Sequence, residues 1–412
     1  MNWRAGWRYG LVGLPLAFVA LPLYVVLPNY YAREFGVPLA TLGAVLLGAR
    51  LFDALIDPGL GRWSDRLFAR ATHAVLAWAG GASVCLAVGF SLLFFPPPLA
   101  PAPLVAWATA SLMLTYVAYS ALSILHQSWG AMLGGDEAQR SRIVAWREGL
   151  GLVGVLLAAV TPALLGMPAM TALFWAALAA AWLAWRQAPR PVASPLHRPP
   201  VSVWLPFTRP GFRALLAVFM ANGIASAVPA TLLLFFVQDR LQAPPSHEAL
   251  FLGGFFLSAA LSIPLWLRAV QRLGLARSWL GGMGLSMTVF VFAATLGQGD
   301  SAAFLWVCAL SGVGLGADLA LPSALLAGTI AAQGDQGRAE GAYFGWWNFA
   351  TKLNLALAAG VALPLLSALG YEPGARDEAA LQTLSWAYCL LPCGLKAVAA
   401  SLLYCLIIRK KP

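Results

Sequence analysis

Charge is what this chain has least of. Only 10% of its 412 residues are Asp, Glu, Lys or Arg, against about 25% in ordinary soluble domains, which excludes a water-solvated globule. Cysteine is scarce as well. Cys85, Cys308, Cys389, Cys393 and Cys405 all lie in apolar segments and no pair has the CxxC spacing of a metal or redox centre, so they read as small buried apolar residues. There is no phosphate-binding Walker loop, which argues against a nucleotide-driven machine, and no GxSxG or HExxH arrangement that would support a hydrolase. The net charge of +10 raises nucleic acid as a partner, but the basic residues cluster at the ends of apolar runs and build no basic face.

What is abundant is hydrocarbon: 60% of the residues are hydrophobic and the mean hydropathy is +0.75. Apolar runs of roughly 20 residues recur along the whole length, each enough to cross a bilayer core. The spacing predicts an all-α membrane protein with helices over 9–32, 39–64, 73–96, 102–131, 143–165, 168–186, 212–237, 248–270, 278–298, 302–331, 338–369 and 380–408. These twelve helices divide into an N-terminal six-helix bundle over 1–186 and a C-terminal one over 211–412. Between them, 187–210 is rich in proline and reads as an extended cytoplasmic connector without a core of its own. Met1 to Arg8 lead into a run longer than a signal-peptide core, so the first span is expected to be uncleaved. With both termini cytoplasmic, the outer loops carry only Arg33, Arg240 and Arg376 among the basic residues, and most others, Arg147 included, fall at the inner ends. Weak likenesses between the halves, such as Gly135-Asp136 with Arg140 against Gly334-Asp335 with Arg338, suit the internal repeats of secondary transporters.

The few charges inside the spans carry the functional reading. Arg50, Asp53 and Asp57 recur at helical spacing on one face. A carboxylate at the bilayer centre costs about 2.5–3.5 kcal/mol on insertion scales, so the stripe should face protein or a wet cavity. A structural salt bridge to Arg50 is the alternative, but one arginine neutralises only one of two acids. Lys352 sits too deep to snorkel easily, while Lys396 lies nearer the final exit and reads either way. Asp318, after a run of small residues, suits a pocket or pairing with Lys396 or Lys352 equally. His126 beside Gln127 and Ser128 is either a satisfied polar group or a proton relay. Most of the 17 tryptophans belong to interfacial belts and helix packing; Trp129, Trp346 and Trp347 are the candidates for lining a cavity.

The pattern Tyr9-Gly10, Gly36, Ala49-Arg50-Leu51-Phe52-Asp53-Ala54-Leu55-Ile56-Asp57-Pro58, Gly61 and Ser64-Asp65-Arg66 resembles the glycoside–pentoside–hexuronide cation symporters of the major facilitator superfamily, the melibiose-type carriers. Asp136 with Arg140, Arg338-Ala339-Glu340-Gly341, Lys352 and Gly370-Tyr371 extend the likeness over most of the chain. The resemblance implies that Asp53 and Asp57 hold the coupling Na⁺, Li⁺ or H⁺, with Lys352 close to them and Ser120 able to add a hydroxyl. It also implies departures: Ala17 stands where the sugar carriers have a sugar-binding carboxylate, Ser123 at the matching position of span four, and Gln127 or Trp129 at the stacking aromatic. Ile56 replaces an amide-bearing sodium ligand, which favours H⁺, since a proton needs only one carboxylate of raised pKa whereas a hard metal cation needs several oxygens.

The expected function is therefore a cation-coupled secondary transporter, not an enzyme, moving a small sugar- or glycoside-like solute by alternating access. Asp53, Asp57, Ser120 and Lys352 form the cation site; Ser123, His126, Gln127, Trp129, Asp318, Trp346 and Trp347 face substrate; Arg50, Arg62, Asp65, Arg66, Asp136, Arg140 and Arg338 form the inner gate. No cofactor or resident metal is expected, the only ions being H⁺ or Na⁺. The partners are the solute, the cation and the lipid bilayer of a bacterial inner membrane, with the monomer as working unit and no nucleic acid. The alternatives are a carrier of an amphipathic or lysolipid-like solute and a non-transporting receptor.

Overall fold

The computed structural model describes residues 2–191, 202–372 and 374–409. Pro195, Arg198, Pro199 and Pro200 of the connector lie outside the described residues, as do Lys410 and Lys411. The chain divides into two compact units, Met1–Thr208 with Ile330–Phe349, and Arg209–Thr329 with Ala350–Pro412. All regular structure among the described residues is helical.

In the first unit the opening pass is built from α1 (Trp3–Gly10), α2 (Gly13–Leu21), a π-helical turn (Pro22–Val26) and α3 (Leu27–Phe35). Asn2 caps it by accepting from the Ala5 amide at 2.9 Å. Then come α4 (Leu39–Arg70), α5 (Thr72–Phe94), α6 (Pro101–Met132) and α7 (Glu137–Arg186). The last is two passes: Gly166 takes φ 79, open to glycine and closed to most side chains, and with Pro162 and Pro168 it breaks the ladder where the sequence places a boundary. Phe18 stacks on Phe174, and Phe90 packs tilted against both Phe174 and Phe94, in the core.

The second unit begins with α9 (Pro210–Phe235), preceded in the chain by the short α8 (Leu205–Thr208) of the first unit. It continues through α10 (Pro245–Leu273), α11 (Leu275–Ala293), α12 (Ser301–Ala332), α13 (Glu340–Ala368), α14 (Glu378–Ser385) and α15 (Leu391–Leu403). Phe236, Phe251, Phe304 and Tyr388 make its aromatic core. The far end of α12 and the start of α13 pack with the first unit. Twelve passes are thus traced, and nine helices among the described residues are long and apolar enough to span a membrane by length and composition alone. Neither α4, with Asp53 and Asp57 in its body, nor α13, with Lys352, is among those nine.

Candidate functional site: the acidic stripe of α4 and the buried polar clusters

On α4 the buried positions recur every third or fourth residue, at Ala49, Asp53, Asp57, Gly61, Ser64 and Asp65. Asp53 is 3% exposed and Asp57 fully buried, whereas Arg50 is exposed. The stripe thus continues through Ala49, and the arginine expected to share its face stands to one side. Ser120 on α6 donates to Asp53 Oδ1 at 2.6 Å, a short, charge-assisted bond. One turn on, Pro58 has no amide to offer the Ala54 carbonyl, which leaves an extra backbone oxygen between the two acids along the helix.

The start of α13 seals the stripe. A Cβ on Gly345 would meet the Asp57 carbonyl at 2.6 Å, and one on Gly341 would meet the Gly61 carbonyl at 2.1 Å, so only glycine permits this approach. Asp65 closes it by accepting from the Gly341 and Ala342 amides at 2.6 and 2.9 Å. These are first-turn donors of α13 that no helical carbonyl reaches. Gly337 and Arg338 donate to the neighbouring carboxylate of Glu340 at 2.5 and 3.1 Å. With 32 residues α4 is roughly 48 Å long, more than a hydrocarbon core, which puts Asp65 beyond the apolar stretch. Burial, and then the charge of Glu340, push its carboxyl well above the ordinary range.

The other expected gate residues are less tightly built in. Asp136 caps α7 by accepting from the Gln139 amide at 2.7 Å, and Arg66 is exposed. The Nε groups of Arg62, Arg140 and Arg338 are buried without a hydrogen-bond partner among the described residues.

Several substrate candidates have other partners. His126 is fully buried, stacks on Tyr9 at 4.3 Å, and has Nε2 2.8 Å from the Tyr9 carbonyl, while the Tyr9 hydroxyl donates back to the His126 carbonyl at 3.2 Å. It packs between α1 and α6, and its Nδ1 is buried without a hydrogen-bond partner among the described residues. Trp129 donates its indole N–H to the Pro189 carbonyl and Trp346 to that of Val203, at 2.9 and 2.8 Å. Trp204 and Phe207 pack on Trp346. These two indoles anchor the two described ends of the connector, which is expected to be extended and instead carries the short helix Leu205–Thr208; an aromatic with one donor is as well suited to capping a chain carbonyl as to stacking on a solute. Trp347 is buried in the same unit. Ser123 accepts from Gln127 at 3.0 Å, and Gln127 Oε1 remains a buried acceptor without a partner among the described residues.

Two further clusters are not legible in the sequence, and a third is legible only in part. Arg147 is 8% exposed and bonded to Glu148 at 2.8 Å through Nε. It lies roughly 15 Å into α7, not at the inner end to which charge counting assigned it. The opposite charge directly after it, in an apolar run, was the available signal. In the second unit, Asp239 accepts from Tyr371 Oη at 2.5 Å, the Gly374 amide at 2.9 Å and Arg376 at 3.2 Å. Burial and this carboxylate raise the Tyr371 hydroxyl above its usual range.

The third is the surrounding of Asp318. Its Oδ1 accepts from Asn222 and Trp279 at 3.0 and 2.8 Å, and its Oδ2 from Ser226 and Lys396 at 3.2 and 2.9 Å. Lys396 completes its set with Asn222 Oδ1 at 2.8 Å and Ser226 Oγ at 3.1 Å. Of the two lysines that could pair with Asp318, Lys396 does so. Lys352 is half-buried on the part of α13 that belongs to the second unit.

A family model described as MFS/sugar transport protein matches residues 8–410. The chain is 25% identical over 425 residues to a putative sulfoquinovose importer of Salmonella typhimurium, covering 96% of this chain and 87% of that one. The match to the inner membrane symporter YicJ of Escherichia coli, also 25% identical, spans 38% of this chain and only 34% of that protein. The sphingosine-1-phosphate transporter MFSD2B of Mus musculus is 23% identical over 415 residues, 90% of this chain and 82% of that one. Among solved structures, a bacterial homologue of the iron transporter ferroportin superposes with a TM-score of 0.73 at 17% identity, over 96% of this chain and 99% of that one. That likeness is one of fold.

Proposed function

This chain belongs to the MFS/sugar transport protein family, and from that premise we propose that it is a cation-coupled secondary transporter of a small sugar- or glycoside-like solute, with the cation loading at Asp53 and Asp57. The observation that carries the reading is a fully buried Asp57 one turn from an Asp53 already hydrogen-bonded to Ser120. Two carboxylates at membrane depth cannot both stay ionised and uncompensated, so the site is loaded by charge neutralisation. A proton meets that need with one carboxyl. Sodium would draw on Asp53, Asp57, the Ser120 hydroxyl and the Ala54 carbonyl, and Ile56 withholds a further oxygen. H⁺ is the coupling ion in this reading, and Lys352 is the counter-charge of the empty site, as the family resemblance implies.

The two six-helix halves, 1–186 and 211–412, are the bodies that alternate access, joined by the connector 187–210 and oriented with both termini on the cytoplasmic side of a bacterial inner membrane. The Asp65–α13 contact is one latch of that cycle. Gln127 and Ser123 are the polar groups offered to the solute from α6.

A second reading, a carrier of an amphipathic solute, is favoured by the likeness to a carrier named for a sphingolipid phosphate. Proteoliposomes loaded with a pH indicator and challenged with a glycoside panel in one arm and lysophosphatidylcholine in the other separate the two. The expected result is glycoside-dependent proton movement. Asp57→Asn should abolish accumulation against a gradient while sparing solute exchange; undiminished accumulation by that variant would refute the coupling site.

A further inference from the structure

The second unit holds a cavity of about 190 Å³ that neither the cation stripe nor the α6 residues touch. Its walls are hydrocarbon and aromatic, with Phe251, Phe255, Phe290 and Tyr388 among them. Its floor is the Ser226–Asp318–Lys396 cluster, and Leu252, 37% exposed, stands at its rim. We propose that this cavity is a binding site for an uncharged molecule built of one ring or a short alkyl chain and ending in a hydrogen-bond donor such as a hydroxyl. The site lies within one unit and stands independently of the coupling reading, so a failure here leaves Asp53 and Asp57 untouched.

Three properties of the cavity define that ligand. The first is size: a dry apolar cavity of about 150 Å³ accepts benzene, so the volume here suits one ring with one or two further heavy atoms. The second is charge. Asp318 and Lys396 neutralise each other at 2.9 Å, and every hydrogen on Lys396 Nζ is already given, to Asn222, Ser226 and Asp318. An ionic ligand would be desolvated against a neutral floor with no counter-charge to meet it.

The third is hydrogen-bond polarity. Ser226, Ser286 and Ser311 line the cavity, and each spends its only hydroxyl hydrogen elsewhere, on Asp318, the Gly282 carbonyl and the Cys308 carbonyl respectively. What remains to all three is lone pairs. The serines accept but do not donate, and the Tyr388 hydroxyl is the oxygen donor left in the lining, so a hydroxyl end can bond both to a serine and to Tyr388, whereas a carbonyl or ether end can only accept and leaves the serine lone pairs unmet.

Benzyl alcohol is the simplest probe of that chemistry. Equilibrium dialysis of radiolabelled benzyl alcohol against the full chain in lipid nanodiscs, corrected with empty nanodiscs, should show saturable binding of one molecule per chain. In competition, toluene and benzyl methyl ether should each displace it about fivefold more weakly, the loss expected for one hydrogen bond, and benzoate should not displace it. Ser311→Phe and Cys393→Phe, which fill the cavity from different walls, should each remove the saturable component. Absence of saturable binding to the unmodified chain, displacement by benzoate or the ether as effective as by benzyl alcohol, or full binding by either folded filling variant overturns the assignment.

Discussion

Asp65→Ala offers the sharpest test of how the start of α13 is held. The carboxylate accepts from two buried first-turn amides at 2.6 and 2.9 Å, and alanine would leave both without a partner. An orphaned buried donor costs about 1–3 kcal/mol, and part of that is offset because the burial of Asp65 beside Glu340 is itself unfavourable. A net loss of about 2–3 kcal/mol follows, which lowers hydrogen-exchange protection of the first turn of α13 by about 30- to 150-fold. Asp65→Asn keeps one acceptor oxygen and turns an amide towards the other donor, so it should fall between wild type and alanine. Exchange measured by mass spectrometry on peptides spanning Glu340 to Trp346, in nanodiscs, reads this directly. Unchanged exchange in a folded Asp65→Ala protein would mean that the glycine contact with Gly61 alone holds the helix start, and the latch would be lost from the mechanism.

The same residue predicts a pH effect. A carboxyl whose pKa is raised in the fold binds its proton more tightly there than in the unfolded chain, so its contribution is full below the ordinary 3.8 and is lost as pH rises through the raised value. The apparent Tm of the wild type should therefore carry a falling segment over that window, and Asp65→Asn should lessen its slope. At the connector, Trp346→Phe removes the donor to the Val203 carbonyl while keeping most of the ring packing. It should weaken local protection over 202–208 by about 1 kcal/mol, seen as faster limited proteolysis there, with global Tm barely moved. In the second unit, Lys396→Met strands the Asp318 carboxylate and should destabilise by about 3–5 kcal/mol. Pairing it with Asp318→Asn should recover most of that loss, and a double variant no more stable than the single would show that the pair is not the unit of stability.

The parts of this molecule that could be read from its sequence are those where a residue type is costly enough in its setting to announce itself. Apolar runs long enough to span a bilayer give the passes, and Gly166 between two prolines marks the break inside α7. Asp53 and Asp57 stand out because acids one turn apart in such a run demand an explanation, and their burial is what that demand required. Asp239 was missed for the converse reason: near the end of a span an acid is ordinary, and nothing local reveals that Tyr371, Gly374 and Arg376 converge on it from far along the chain. Pairing is likewise invisible. Asp318 and Lys396 lie 78 residues apart, and sequence alone left Lys352 an equal contender.

Tryptophan marks the limit most clearly, since Trp129 and Trp346 have the amphipathic ring of a solute-stacking residue and yet spend their N–H groups on connector carbonyls. A charge in hydrocarbon has few affordable environments and so betrays its role. An indole has many, and its role emerges only when the groups within reach of its one donor are known. The same contrast bears on the two polar centres. The α4 stripe, with two buried acids one turn apart, carries the proposed coupling role, whereas the Asp318–Lys396 floor is neutral and hydrogen-bonded throughout. A site that must change its charge in each cycle needs groups that are costly in one state. In the proposed cycle Asp53 and Asp57 are those groups, whereas Asp318 in the floor of the second-unit cavity is already paired with Lys396.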